Sequence, residues 1–142
     1  MNPVKLLAIF VENKPGQTAR ITKILADARI NIRWVTIASS GPFGVMKFLV
    51  DHCDLALQQL KQQGLMVSLT DALAVEVPDQ PGALHTVAQC LAQQQINLDN
   101  TSGFVAHNRA FLLIELHELA RAKAILEQRG LRVLSQEEML QL

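Results

Sequence analysis

A chain of 142 residues that is 49% hydrophobic and 18% charged, with 13 basic and 13 acidic residues, is too apolar for disorder and lacks the field that draws in nucleic acid or an anionic membrane. Its longest apolar run, Leu6 to Val11, is far short of the roughly 20 residues of a membrane-spanning helix and short for the core of a signal peptide. A compact cytoplasmic protein is expected, and Cys53 and Cys90, at no metal or redox spacing, fit a reducing compartment.

Leu6 to Val11 reads as a strand. Glu12-Asn13-Lys14-Pro15-Gly16 follows as a loop, and Ile21, Ile24, Leu25 and Ala28 then recur at the spacing of one helical stripe. Proline suits the first turn of a helix and glycine leaves its backbone open to a small molecule. The first amides of such a helix have no partner within it, so with the helix dipole they can hold an anionic group. Ile30 to Ser39 is rich in β-branched residues, Ser40-Gly41-Pro42 turns the chain, and Gly44 to Asp51 returns as a second strand of a hairpin. Asp54 to Gln63 is helical through Leu57 and Leu60, Gly64 stops it, and Leu65 to Leu69 is a last strand.

The second half repeats this order. Leu73 to Val77 is a strand, the loop Pro78-Asp79-Gln80-Pro81-Gly82 follows, and Leu84, Val87, Ala88 and Leu91 stripe a helix. Cys90 falls on its buried face as a small core residue. Ile96 to Val105 and Ala110 to Leu116 flank a turn at His107-Asn108, Leu119 to Arg129 is helical, and Gly130 closes it. Pro15 and Gly16 recur as Pro81 and Gly82, Ile30 and Asn31 as Ile96 and Asn97, Gly64 and Leu65 as Gly130 and Leu131, always 66 positions on. That constancy is an internal duplication. Ser135 and Glu138 have capping-box spacing, which predicts a short terminal helix.

The predicted fold class is α+β: two ferredoxin-like βαββαβ units, residues 1–69 and 70–142. Each is a four-stranded antiparallel sheet in the order 4-1-3-2 with both helices on one face. Leu73, Val75 and Val77 should meet the helices, with Ala74 and Glu76 on the open face. In the first unit Leu6, Ala8 and Phe10 make that open face greasy, so the other repeat or a second chain should pack on it. Joining the two units through their second strands would separate the chain ends to be linked by roughly 29 Å. Ser68 to Ala72, five extended residues, reach at most about 18 Å. The repeats are therefore expected to pair by another edge or face or to exchange strands, and a homodimer to complete the edge-to-edge sheets.

Strand, Glu-Asn-x-Pro-Gly, helix and Ile-Asn-Ile, followed by hairpin, helix and strand and then duplicated, resembles the ACT domain over about residues 4 to 136. The resemblance implies a tandem ACT-domain protein with no catalytic domain, one that binds an amino acid where two ACT domains meet and regulates amino-acid metabolism. An alternative it leaves open is a regulatory subunit of a biosynthetic enzyme, such as an acetolactate synthase-like partner. Carried over by position, the ligand contacts are Asn13, Lys14, Pro15, Gly16, Gln17 and Asn31 in the first unit, and Asp79, Gln80, Pro81, Gly82, Ala83 and Asn97 in the second. A side-chain amide can donate to a carboxylate and accept from an ammonium, which suits a zwitterion. Asp79, in the place of Asn13, only accepts at neutral pH, so the two loops should differ. Trp34, Arg33 and Leu84 could shape a specificity pocket, although each also reads as core or surface.

No cofactor, metal or catalytic residue is expected. His52, His107 and His117 have no motif partner, and His85 and Cys90 stand roughly 140° apart on a helix. RNA binding on the same strand order would need stacking aromatics and basic surroundings that this chain lacks.

Overall fold

The computed structural model describes residues 3–142; residues 1 and 2 of the first predicted domain lie outside it. The chain forms β1 (Val4–Glu12), α1 (Gln17–Asp27), β2 (Ile32–Ser40), β3 (Phe43–Val50), α2 (Cys53–Gln62), β4 (Met66–Val77), α3 (Ala83–Ala92), β5 (Asn100–Ala106), β6 (Arg109–Glu115), α4 (Leu119–Gln128), β7 (Arg132–Leu134) and α5 (Gln136–Leu140). Two compact units result, one of Lys5–Thr70 and one of Asp71–Leu142 together with Pro3 and Val4.

The first unit has the strand order β4-β1-β3-β2, with β3 antiparallel to β1 and to β2. Alternation dictates its core. Leu7, Ile9 and Val11 of β1 and Met46, Phe48 and Val50 of β3 share a face with Ile21 and Leu25 of α1 and Ala56 and Leu60 of α2. In the second unit the order is β7-β4-β6-β5, all neighbours antiparallel. Leu73, Val75 and Val77 meet the helices as predicted, packing with Val87, Cys90, Leu91, Ala122 and Leu126. Both sheets thus have the 4-1-3-2 order with two helices on one face.

Three local expectations are corrected. The strands predicted at 65–69 and 73–77 are one strand, β4; nothing between them is a glycine or proline, so nothing stops the extended run, and Ser68 to Ala72 is no linker. The strand predicted from Ile96 begins only at Asn100, because Ile96 donates its N–H back to Leu91 O (2.9 Å) and closes α3. Pro15 and Pro81 do not occupy the first helical turn. Gly16 and Gly82, at φ +93° and +90°, are the caps, and the prolines precede them.

Leu6 and Ala8, the greasy open-face positions of β1, are buried within the single chain, whereas Phe10 stays 49% exposed. The open face of the second sheet carries an ionic cluster. Arg109 grips Glu76 with two hydrogen bonds, 2.9 and 2.7 Å, and its guanidinium lies over the Phe111 ring, 5.1 Å from the centroid. Arg132 reaches both Glu76 and Glu138, and Glu138 completes the predicted capping box with Ser135 at the start of α5.

Candidate functional site

Each strand-to-helix loop is built around a glycine in a conformation L side chains rarely adopt. At Gly16 and Gly82 the positive φ is set by the turn and not by crowding, since a Cβ at either would meet no atom within 4 Å. The space beside each cap is open. No side chain caps α1 or α3. In the first loop Lys14 N–H donates to Glu12 O (3.0 Å), Gln17 N–H to Lys14 O (3.4 Å) and Arg20 N–H to Gly16 O (2.9 Å). Among the described residues the amides of Thr18 and Ala19 have no acceptor. The second loop repeats the pattern: Gln80 N–H donates to Pro78 O, Ala83 N–H to Gln80 O and Thr86 N–H to Gly82 O, leaving the amides of Leu84 and His85. Two bare N–H groups at the positive end of a helix favour a carboxylate.

The two loops differ in the hydrogen bonds of Asn13 and Asp79. Asn13 is clipped to the β2–β3 hairpin, its backbone N–H donating to Pro42 O (2.8 Å) and its Nδ2 to Gly41 O (3.2 Å). That leaves Oδ1 as its acceptor. Asp79 cannot donate through its side chain, and it makes no hydrogen bond among the described residues. Lys14 is drawn to Glu12 at 3.3 Å with both side chains well exposed, while Pro15 and Gly16, like Pro81 and Gly82, are at the surface. The hairpin carbonyls of Gly41 and Pro42 are the partners that sequence reasoning missed. The Gly-Pro pair was legible as a turn, but a contact 28 residues away leaves no local pattern.

The structure keeps the two predicted polar contacts of each unit, Asn13 and Asn31 in the first and Asp79 and Asn97 in the second, apart. Asn31 exchanges hydrogen bonds with Asp51, its N–H to Oδ1 at 3.0 Å and its O from Asp51 N–H at 3.3 Å, just beyond the far end of β3. The eight residues of β3 separate it from Asn13 by roughly 25 Å. Likewise β6 lies between the Asp79 loop and Asn97, since Val77 pairs with Ala110 and Asp99 with Glu115. The side chains of Asn31 and Asn97 are exposed and hold no protein partner among the described residues.

Nothing nucleophilic is assembled among the described residues. Cys90 is buried in the α3 core. Burial, with help from Asp54, pushes the Cys53 thiol above its ordinary range, against a smaller opposing pull from Lys5, so it is poorly disposed to ionise. No cluster of His, Cys, Asp or Glu suited to a metal occurs among the described residues, and none of the described helices is long and apolar enough to cross a membrane. Leu84 is 53% exposed and Trp34 half-buried.

Two split βαββαβ units with glycine-capped strand-to-helix loops define a duplicated protein of two ferredoxin-like domains. The family model of the ACT domain pair matches residues 2–142, and the chain belongs to that family. Among solved structures it is similar to protein BT0572 from Bacteroides thetaiotaomicron, with 28% identity over 99% of this chain and 97% of that one and a TM-score of 0.92. The fold is shared with the ligand-free regulatory subunit of aspartate kinase from Thermus thermophilus, 18% identical over 90% of this chain and 93% of that one, TM-score 0.64. It is also shared with Clostridium acetobutylicum aspartate kinase, 13% identical over 88% of this chain but only 32% of that one, TM-score 0.55. A search of curated protein sequences returned no significant match.

Proposed function

We propose that this protein is a non-catalytic sensor of an amino acid, binding it where ACT units meet and so regulating amino-acid metabolism. One observation carries the reading: the first loop offers bare Thr18 and Ala19 amides next to the open space at Gly16. Those amides suit a carboxylate. The Oδ1 of Asn13, freed by the clip of its Nδ2 to Gly41, suits an ammonium. Gln17, Lys14 and Pro15 form the rest of that surface. Asn31 can join the same ligand only from another unit or another chain, which favours a homodimer. The second loop, with Gln80, Pro81, Gly82 and Ala83, places a carboxylate at Asp79. Asp79 opposes an incoming carboxylate, so this loop should bind more weakly or bind something else, with Asn97 contributing from a neighbouring unit.

Membership of a regulatory family, with a fold shared by an aspartate kinase regulatory subunit, supports a second reading in which the chain controls a separate biosynthetic enzyme. Affinity purification from native extract separates the two: a stoichiometric biosynthetic enzyme favours the subunit, and none favours the free-standing sensor. The ligand reading is tested by calorimetric titration of the twenty amino acids into the wild type and into Asn13→Ala and Asn31→Ala. A hit lost in both variants supports it. A hit unchanged in both removes these residues from the site.

A further inference from the structure

Strand β7 ends after three residues. Its last pair joins Leu134 to Ala74, and Ser135 then turns out of the sheet, its Oγ accepting from Glu138 N–H (3.2 Å) to cap α5. Where β7 stops, Ala72, Leu73, Leu119, Val133 and Leu134 line a cavity of about 230 Å³, all within the second unit. Leu73, Val133 and Leu134 are 4%, 6% and 2% exposed, so water reaches little of its floor. An apolar cavity of about 150 Å³ already accepts a benzene ring. The strand from Leu73 to Val77 holds this one roughly 13 Å from the Gly82 loop.

We infer that this cavity is a separate binding site, for a small carboxylate with a branched aliphatic body and no ammonium group. The duplication gives the shape of the body. At the constant offset of 66, Lys123 and Ser135 correspond to Leu57 and Leu69, and both leucines pack against the first core. There the strand runs on through Leu69, and the chain closes its own wall with isobutyl groups. The second unit sets a cation and a helix cap in those two places. A ligand that brings an isobutyl group restores the apolar packing that the first unit makes internally.

Lys123 selects the head group. It lines the cavity, and its Nζ meets Glu127 Oε1 at 3.1 Å in an i,i+4 pair open to solvent. Such pairs are weak, so a carboxylate arriving through the cavity can share or displace Glu127, gaining a charge-assisted hydrogen bond in drier surroundings. Asp71, the other charge on the wall, already has a partner, which blunts its repulsion of an anion and sets no demand for an ammonium. The site uses neither glycine-capped loop and neither Asn13 nor Asn31, so it goes beyond the proposed amino-acid function and does not rest on it.

The test is calorimetric titration of 4-methylpentanoate, 4-methyl-2-oxopentanoate, acetate and L-leucine into the wild-type protein and into Lys123→Gln, Ala120→Leu and Asn13→Ala. Ala120 is an exposed residue on the cavity wall, and both α4 changes introduce good helix formers. The wild type should bind at least one branched acid about tenfold or more tighter than acetate or L-leucine, and the tighter of the two acids tells a fatty acid from a 2-oxo acid. Lys123→Gln removes the charge and Ala120→Leu narrows the cavity, so each should weaken binding by about tenfold or more, with Asn13→Ala unchanged. Failure of both branched acids to bind the wild type at millimolar concentration overturns the inference. So does binding that neither α4 change weakens. Binding lost in Asn13→Ala but kept in both α4 variants puts the acid at the loop, which overturns this site and leaves the proposed function standing. Branched acids held here by a protein that binds no amino acid uphold the inference and sink only the proposed sensor.

Discussion

Gly16 and Gly82 cap their helices at φ +93° and +90°, a conformation that costs an L residue about 1–2 kcal/mol. Because no atom lies within 4 Å of either missing Cβ, Gly16→Ala and Gly82→Ala should each lower unfolding stability by about that amount through backbone strain, read as a lower urea midpoint at unchanged slope. An unchanged midpoint would mean that the loops relax freely, which a preorganised anion site does not. The ionic cluster makes a separate prediction. The hydrogen bonds from Arg109 hold the Glu76 carboxyl below the ordinary glutamate range against the opposing effect of burial, with smaller help from the Arg109 and Arg132 charges. A depressed carboxyl contributes stability that is full above its unfolded pKa and is lost as the pH falls through its folded one. Wild type should therefore exceed Glu76→Gln by roughly 0.5–1 kcal/mol above about pH 5, the difference shrinking below about pH 4. A gap that stays constant down to the acid limit would show that the pair is not what titrates.

At the scale of elements, all four long helices end alike, with the N–H of the residue after a left-handed position returning to a carbonyl five residues back. Ile30 bonds Leu25, Leu65 bonds Leu60, Ile96 bonds Leu91 and Leu131 bonds Leu126. Glycine fills the left-handed position at Gly64 and Gly130, but Arg29 and Gln95 fill it at φ 59°. Gly64→Ala and Gly130→Ala should each cost about 1 kcal/mol, while Arg29→Gly and Gln95→Gly should be neutral or stabilising, as read from thermal midpoints. If all four changes behaved alike, the shared ending would not be what holds these helices. The same elements show what was legible. Pro-Gly pairs, helical stripes and a fixed offset of 66 carry the strand order, because turn chemistry and periodicity are local. Arg29 and Gln95 were invisible as helix stops, since tertiary packing of Ile30 and Ile96 and not residue type imposes their backbone. The joining of two predicted strands into β4 escaped for a related reason: Thr70 and Asp71 neither favour nor forbid extension, and pairing with neighbouring strands decides it. Of the candidate site, the loop glycines were readable from their residue type, but the clip of Asn13 to Gly41 and the separation of Asn31 arise only once β3 spans the distance between them.

For the whole molecule, a family of paired ACT domains accounts for an otherwise unusual chain, one duplicated end to end, neutral, and without an assembled nucleophile or metal cluster among its described residues. Regulation by such a protein requires a ligand that favours one state over others. The most direct measurement is the thermal midpoint of the purified protein against each of the twenty amino acids, with Asn13→Ala alongside. The account predicts that at least one amino acid at a hundred times its dissociation constant stabilises the wild type by about 2.7 kcal/mol, raising the midpoint by several degrees, and that the variant does not respond. No shift with any amino acid, or an equal shift in Asn13→Ala, would contradict it.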